Sequence, residues 1–213
     1  LPGGASTPAI RATGVPVHEL GLNLFNGPIV VVRLALLIRR LQPDIIQSGL
    51  FYGDLIATLA LYLSGRRRQT RLYWGIRASD ISRYFNWRSR LIVALCVRLS
   101  SLPDAVIANS QAGSRDHRRI GSRSPLFVVI PNGIDTGRFK PDRAKRAQTR
   151  SELGIGENAT FVIHVGRVSA MKDHSTLFAV AEALPHLLFA VIGRGTESLQ
   201  APANVMRLGF REH

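Results

Sequence analysis

The sequence is poor in cysteine, in acidic residues and in long apolar runs. Cys96 is the only cysteine among the 213 residues, which excludes an intrachain disulfide and a cysteine-rich zinc site. No apolar run reaches the roughly 20 residues that a membrane-spanning helix needs, so we predict no such helix. The 14 acidic residues are outnumbered by 28 lysines and arginines, and the net charge of +14 favours partners that carry phosphate. Apolar residues make up 46% of the chain, which is enough for a buried core.

Short apolar runs alternate with longer amphipathic segments, a pattern typical of parallel sheets with crossover helices. We therefore predict an α/β fold. The predicted strands lie at 15–20, 44–47, 71–76, 104–108, 126–130, 160–165, 187–192 and 205–208. The predicted helices lie at 28–41, 53–63, 87–99, 111–120, 143–153 and 175–184.

The composition of the sequence changes after Asp135, where apolar residues become less frequent and charged residues cluster around Pro141. This change predicts a domain boundary between 133 and 158. We expect a Rossmann-like domain at 1–135, a linker with a short helix at 136–157, and the beginning of a second Rossmann-like domain at 158–213. The second region has few βα units for a doubly wound domain, so we expect it to be truncated. The chain starts at Leu1 without a methionine, and we expect further residues upstream.

Three groups of motifs follow one another in a fixed order. They are PDIIQ and GLFYGDL at 43–47 and 49–55, DAVIANS and VIPNGIDT at 104–110 and 129–136, and VGRV, KDH and VIGRG at 165–168, 172–174 and 191–195. Together they resemble the retaining glycosyltransferases of family 4, over about residues 15 to 211. The resemblance implies the GT-B fold, in which two Rossmann-like domains face each other across a cleft. The first domain holds the acceptor and the second holds the nucleotide-sugar donor.

The resemblance also implies a reaction. A sugar would move, with retention, from a nucleotide-diphosphate sugar to a glycan or lipid-linked acceptor during surface polysaccharide or glycolipid synthesis. We expect a cytoplasmic protein, with peripheral contact to the anionic inner face of the membrane, and no cofactor. The paired-glutamate motif of the family is absent from this chain, so the catalytic residues stay unassigned. We expect the fragment to be inactive alone.

Arg167 and Lys172 are the first candidates for binding the donor phosphates. Negative charge builds on a departing diphosphate, and fixed cations directed at it stabilise the transition state. The two residues bracket a strand-to-helix turn, so both can lie at the carboxyl end of the strand. Gly166 lets the backbone approach the phosphates, and we expect the amino terminus of the next helix to add N–H donors. The residues alone also fit a pair of surface cations on a loop.

Two glycine-containing turns, each with two candidate residues, are possible nucleotide or hinge contacts. Asn132 and Gly133 form a turn signal, for which we predict left-handed backbone geometry at the domain crossover. Gly193 and Gly195 follow a strand, but the third glycine of a dinucleotide fingerprint is missing because Ser198 stands there. We interpret them as a tight turn near the nucleotide.

Tyr52, Asp54 and Arg77 are candidates for the acceptor side. The resemblance places a histidine of relatives where this chain has Tyr52, and a tyrosine is a poor base near neutral pH. Asp54 also fits a carboxylate that stabilises a helix start. Arg77 follows a strand, and it also fits a plain surface charge. No histidine, cysteine or carboxylate pair has metal-ligand spacing, so we assign no metal.

Two other functions stay open at this level. The first is a basic module that binds nucleic acid or an anionic membrane through arginines 66–68, Arg115, Arg118 and Arg119. No recognised nucleic-acid motif accompanies these arginines, so we expect no specific nucleic-acid partner. The second is a nucleotide-sugar epimerase on the same fold.

Overall fold

The computed structural model describes residues 7–23, 26–77 and 87–211, and the chain divides into two compact units, Leu1–Ile134 and Asp135–His213. The first unit contains a parallel sheet with the strand order β1-β2-β3-β4. Its elements are α1 (Thr7–Ala12), α2 (Gly27–Leu41), β1 (Ile45–Gln47), α3 (Leu50–Leu63), β2 (Arg71–Ile76), α4 (Trp87–Leu99), β3 (Ala105–Ala108), α5 (Gln111–Arg119) and β4 (Phe127–Val129).

The core of the first unit lies between the sheet and the helices α2, α3 and α4. Leu61, Leu72 and Val106 are the largest fully buried aliphatic side chains in this core. The Trp74 indole donates a hydrogen bond of 3.0 Å to the Thr58 hydroxyl, which fixes β2 against α3. Because the strands are parallel, the residues after them share one edge of the sheet, where ligands bind in open α/β folds.

The second unit has a parallel sheet with the order β5-β6-β7. Its elements are α6 (Arg143–Glu152), β5 (Phe161–Val165), α7 (His174–Ala183), β6 (Leu188–Ile192) and β7 (Val205–Gly209). Phe189 and Val191 of β6 pack against Ala181 of α7. A short 3-10 turn, Ala170–Lys172, joins the loop after β5 to α7.

The predicted strand at 15–20 is wrong, because these residues do not pair with a strand of either sheet. Val15 is 56% exposed and Pro16 has no amide hydrogen to donate to a ladder. Another difference concerns α3, which begins at Leu50 and not at 53. Gly49 is extended before Leu50, and Gly53 lies inside the helix without interrupting it.

Candidate functional site

A pocket of about 200 Å³ opens at the carboxyl edge of the first sheet, next to β2. We call it the β2-edge pocket, and it is lined by Leu50, Phe51, Tyr52, Asp54, Gly75, Ile76, Arg77, Ser89, Val93 and His117. The three acceptor-side candidates from the sequence, Tyr52, Asp54 and Arg77, therefore lie in one pocket. Leu50 at its rim has a φ of 65°, a strained value for a residue with a side chain.

Asp54 is the buried acid of this pocket, with 4% of its surface exposed. Burial raises its pKa to about 7, against the opposing effects of the Ser48 hydroxyl and the Gly75 backbone N–H, which both donate to the carboxylate. The Ser48 Oγ lies 2.6 Å from the Asp54 Oδ1. A Cβ at position 75 would lie 2.8 Å from the Ser48 carbonyl oxygen, so this close approach requires glycine. The carboxyl can therefore exchange a proton near neutral pH.

His117 of α5 also lines the β2-edge pocket. Its ring stacks on Phe51 with the centroids 5.1 Å apart. Burial lowers the pKa of His117 to about 4, with a small opposing effect from Asp116. The imidazole is therefore neutral near pH 7, where it can accept or donate a hydrogen bond but carries no charge.

Sequence reasoning missed His117 as a member of the pocket and Ser48 as the hydrogen-bond partner of its buried acid. Ser48 had a usable signal, because it directly follows β1 and so lies at the carboxyl edge of the sheet. His117 had none, since its place in the pocket depends on how α5 packs on the sheet.

Arg77, which follows β2, and Asn132, which lies in the segment after β4, come close together at the carboxyl edge of the sheet. The Arg77 Nη1 lies 3.5 Å from the Asn132 Oδ1, at the long limit of a hydrogen bond. Both side chains are exposed, so the guanidinium remains accessible to a ligand. The left-handed geometry predicted for Asn132 and Gly133 is wrong, because neither residue has a positive φ.

Two glycine-containing loops meet at the carboxyl edge of the second sheet. The Gly166 N–H donates 2.8 Å to the Ile192 carbonyl, and the Val168 N–H donates 3.0 Å to the Arg194 carbonyl. A Cβ at position 193, where φ is 145°, would lie 2.3 Å from the Gly166 carbonyl oxygen. We call this contact between the loops after β5 and β6 the glycine junction.

Gly195 and Lys172 complete the glycine junction. Gly195 has a φ of 86°, and a Cβ there would lie 3.2 Å from the Val168 side chain. The Lys172 side chain lies directly over Gly166, since a Cβ on that glycine would be 3.0 Å from the lysine Cδ. Arg167 and Lys172 are both exposed beside the junction. The structure therefore brings together Gly166, Arg167, Lys172, Gly193 and Gly195.

The amino terminus of α7 differs from the sequence expectation. We expected its N–H groups to be available to phosphate, but the Asp173 carboxylate accepts from the Thr176 N–H at 3.3 Å. The same carboxylate accepts from the hydroxyls of Thr176 and Ser175 at 2.8 and 2.9 Å. These hydrogen bonds, Thr176 and then Ser175, lower the pKa of Asp173. An anion bound here would meet a negative charge, which argues against phosphate binding at the amino terminus of α7.

Two histidines lie behind the glycine junction. His174 is buried, and its ring centroid is 4.7 Å from that of His164. Burial, His174 and Lys172 together lower the pKa of His164.

Among the described residues, no group of three or more potential metal ligands comes together. The helices within the same ranges all fall short of the length and hydropathy of a bilayer-crossing helix.

Known proteins resemble this chain in sequence. Residues 2–138 match the model of Glycosyltransferase Family 4. A GDP-mannose-dependent alpha-(1-6)-phosphatidylinositol monomannoside mannosyltransferase of Mycobacterium tuberculosis is 30% identical over 189 residues, which cover 87% of this chain and 46% of the relative. The sulfoquinovosyl transferase SQD2 of Arabidopsis thaliana is 26% identical, over 90% of this chain and 38% of the relative. The chain thus spans less than half the length of these curated relatives.

Solved structures resemble it in fold. Anabaena Alr3699/HepE, in complex with UDP and glucose, gives a TM-score of 0.74 at 23% identity over 98% of this chain and 60% of that structure. Sucrose-phosphate synthase of Thermosynechococcus elongatus gives 0.67 at 16% identity, over 87% and 50% of the two chains. These likenesses and the parallel sheets confirm the predicted α/β fold of GT-B type. Because the family model matches more than half of its residues, the chain belongs to glycosyltransferase family 4.

Proposed function

We propose that this chain is part of an enzyme that moves a sugar from a nucleotide-diphosphate sugar to an acceptor hydroxyl, with retention at the anomeric carbon. The observation that carries the proposal is the glycine junction with Arg167 and Lys172 beside it. Family membership supports the transferase reaction, and retention rests on the resemblance to the family alone.

On the donor side, the diphosphate would lie against the glycine junction. Glycines at 166 and 193 let the two loops and the Lys172 side chain pack closely, which holds the two cations beside one edge of the sheet. Arg167 can donate two parallel hydrogen bonds to phosphate oxygens, and Lys172 adds a compact charge. As the sugar leaves, negative charge grows on the diphosphate, and both cations stabilise it more strongly in the transition state.

On the acceptor side, the β2-edge pocket would receive the hydroxyl that attacks the sugar. Asp54, with its pKa of about 7, is partly ionised near neutral pH and can accept a hydrogen bond from that hydroxyl. Arg77, exposed at the same pocket, can bind an anionic group of the acceptor. Tyr52 has no base function in this scheme and contributes a hydrogen-bonding phenol at the rim.

The relatives suggest the acceptor class. One is a mannosyltransferase of a phosphatidylinositol monomannoside and another a sulfoquinovosyl transferase. By this similarity the acceptor is a glycan or, in preference, a lipid-linked sugar. We place the reaction in the cytoplasm, with the enzyme peripheral to the inner face of an anionic membrane, without a metal or another cofactor.

The two alternative functions are less well supported. Two of the arginines proposed for nucleic-acid binding have internal partners. Arg67 donates a hydrogen bond of 2.9 Å to the Leu102 carbonyl and pairs with Asp104 at 3.2 Å. Arg118 lies over the Phe127 ring at 4.1 Å. The epimerase alternative has a fold likeness, with a TM-score of 0.57 to a Neisseria meningitidis UDP-GlcNAc 2-epimerase at 13% identity. Such a likeness concerns the fold alone.

The experiment is calorimetric titration of the chain with GDP, UDP and ADP. GDP is the first choice because of the GDP-mannose-dependent relative. We expect saturable binding of one nucleotide that the double variant Arg167→Ala, Lys172→Ala weakens at least tenfold, since charged hydrogen bonds contribute about 1.5 to 3 kcal/mol each. The matched control, Arg143→Ala with Arg146→Ala, removes the same charge from exposed positions on α6 and leaves affinity within about twofold. Equal losses of nucleotide affinity in the two double variants would contradict the proposal.

A further inference from the structure

An apolar groove of about 1020 Å³ follows the helix α3 in the first unit. Its lining comes from α2, α3 and α4, and within α3 it extends from Tyr52 to Leu63, about 16 Å along the helix axis. Val32, Leu59 and Leu91 line it and are 48%, 43% and 54% exposed. Exposed apolar surface of this extent marks a binding site more often than an ordinary surface.

The groove is continuous with the β2-edge pocket. Tyr52 lines both, so the apolar groove opens beside the polar pocket that contains Asp54 and Arg77. A ligand that lies across this opening would have a polar part near the carboxyl edge of the sheet and an apolar part along α3.

Charge narrows the choice of ligand. The helices α2, α3 and α4 carry six arginines and a single acidic residue, the buried Asp54. Arg88 itself lines the groove, with its guanidinium 5.2 Å from the Trp87 ring centroid. This excess of positive charge on the three helices attracts an anionic partner and repels a second copy of this positively charged chain.

We propose that the groove holds the hydrocarbon chain of the acceptor, a lipid with an anionic headgroup that lies near Arg77 and Arg88. The inference rests on the proposed function, because it names the acceptor class of the β2-edge pocket. A bilayer surface would need an apolar face but no concave channel, whereas a single chain fills a channel. Each buried methylene adds about 0.8 kcal/mol, which corresponds to about fourfold in affinity.

The test is calorimetric titration of the 213-residue chain with alkyl phosphates from octyl to hexadecyl, each below its micelle-forming concentration. We expect affinity to rise by up to about fourfold per methylene and then to level off when the groove is full. Inorganic phosphate and the matching alkyl alcohols should bind more weakly than the alkyl phosphates, since each lacks one of the two contacts. Affinity that does not depend on chain length would overturn the proposal.

A matched pair of leucines separates the groove from general adsorption. Leu59 lines the groove, whereas Leu36 on α2 is 60% exposed and lies outside it. We expect Leu59→Gln to weaken the longest alkyl phosphate about tenfold and Leu36→Gln to change it less than twofold. Equal losses would indicate adsorption to an apolar surface, and a dimer that Leu59→Gln abolishes would identify a second copy as the occupant; either result overturns the proposal. Nucleotide binding that persists in the same samples would show that the donor site stands even if the lipid site fails.

Discussion

The Asp54 carboxyl lies against the Ser48 hydroxyl and the Gly75 backbone, and burial raises its pKa to about 7 from 3.8. The folded state therefore keeps a proton that the unfolded state releases. Across this interval the unfolded chain binds fewer protons, so the free energy of unfolding falls as the pH rises from about 4 to about 7. Asp54 thus lowers stability at neutral pH, a cost that agrees with the role we propose for it.

The variant Asp54→Asn tests this linkage. It removes the titrating proton, so between about pH 4 and 7 the wild type should lose up to about 4 kcal/mol of stability relative to the variant, at about 1.4 kcal/mol per pKa unit. Urea denaturation at both ends of that interval measures the difference. Asp44→Asn, at an exposed aspartate of the same unit, is the control and should give a pH profile parallel to the wild type.

His117 changes the free energy of unfolding with pH in the opposite direction. Burial lowers its pKa to about 4 from 6.5, so its contribution is complete above the higher value and is lost as the pH falls towards the lower one. In the wild type, the effects of Asp54 and His117 on the free energy of unfolding oppose each other over this pH interval. In Asp54→Asn only the effect of His117 should remain, so we expect the free energy of unfolding to fall as the pH is lowered. A free energy of unfolding that does not change with pH in that variant would contradict the assigned pKa of His117.

Gly193 provides a residue-scale test of the glycine junction. A side chain at φ 145°, only 2.3 Å from the Gly166 carbonyl oxygen, has no room without movement of the backbone. We expect Gly193→Ala to destabilise the second unit by about 2 to 4 kcal/mol and to weaken nucleotide binding. Gly156→Ala, where nothing lies within 4 Å of the added carbon, is the control. Thermal denaturation of both variants is the measurement, and similar midpoints would refute the argument.

At the scale of elements, the helix α6 is more firmly attached than its charged, linker-like sequence indicates. Arg150 is 6% exposed, and its guanidinium donates to the carbonyls of Gly156 and Ala159 in the approach to β5. These contacts join α6 to the second unit. The bounds predicted for a separate linker at 136–157 stay a prediction.

Truncation of Arg150 tests that attachment. Arg150→Ala leaves two carbonyl groups without their charged donor, so we expect a loss of about 2 to 3 kcal/mol in the free energy of unfolding of the second unit. Arg146→Ala on the same helix removes an equal charge at an exposed position and should change it by less than about 0.5 kcal/mol. Hydrogen exchange of the β5 amides in both variants gives the answer, and equal protection would argue against the role of Arg150.

Most elements could be predicted from the sequence because each has a local signal. The strand β2 and the helix α4 have the predicted bounds, and Ser110, a residue type that favours helix starts, caps α5 by accepting from the Gly113 N–H at 3.0 Å. The strand at 15–20 failed because apolar alternation does not ensure that a neighbouring strand exists to pair with it. The apolar pattern is a property of neighbouring residues, whereas strand pairing depends on residues that are distant in the sequence.

At the scale of the whole molecule, the two candidate sites differ in how far the sequence could predict them. The glycine junction is formed by loops that directly follow β5 and β6, so its glycines and cations stand in two short motifs. The β2-edge pocket joins residues from 50 to 117, and its acid, Asp54, is distinguished by its burial. Burial and long-range packing have no signature in a single sequence.

The most direct test of the central claim compares GDP with guanosine in calorimetric titrations of the wild type and of the double variant Arg167→Ala, Lys172→Ala. The account predicts that the double variant loses at least tenfold in affinity for GDP and less than twofold for guanosine, because both cations contact the diphosphate and neither contacts the base. Equal losses for the two ligands, or unchanged binding of GDP, would contradict the assignment of the glycine junction as the donor phosphate site.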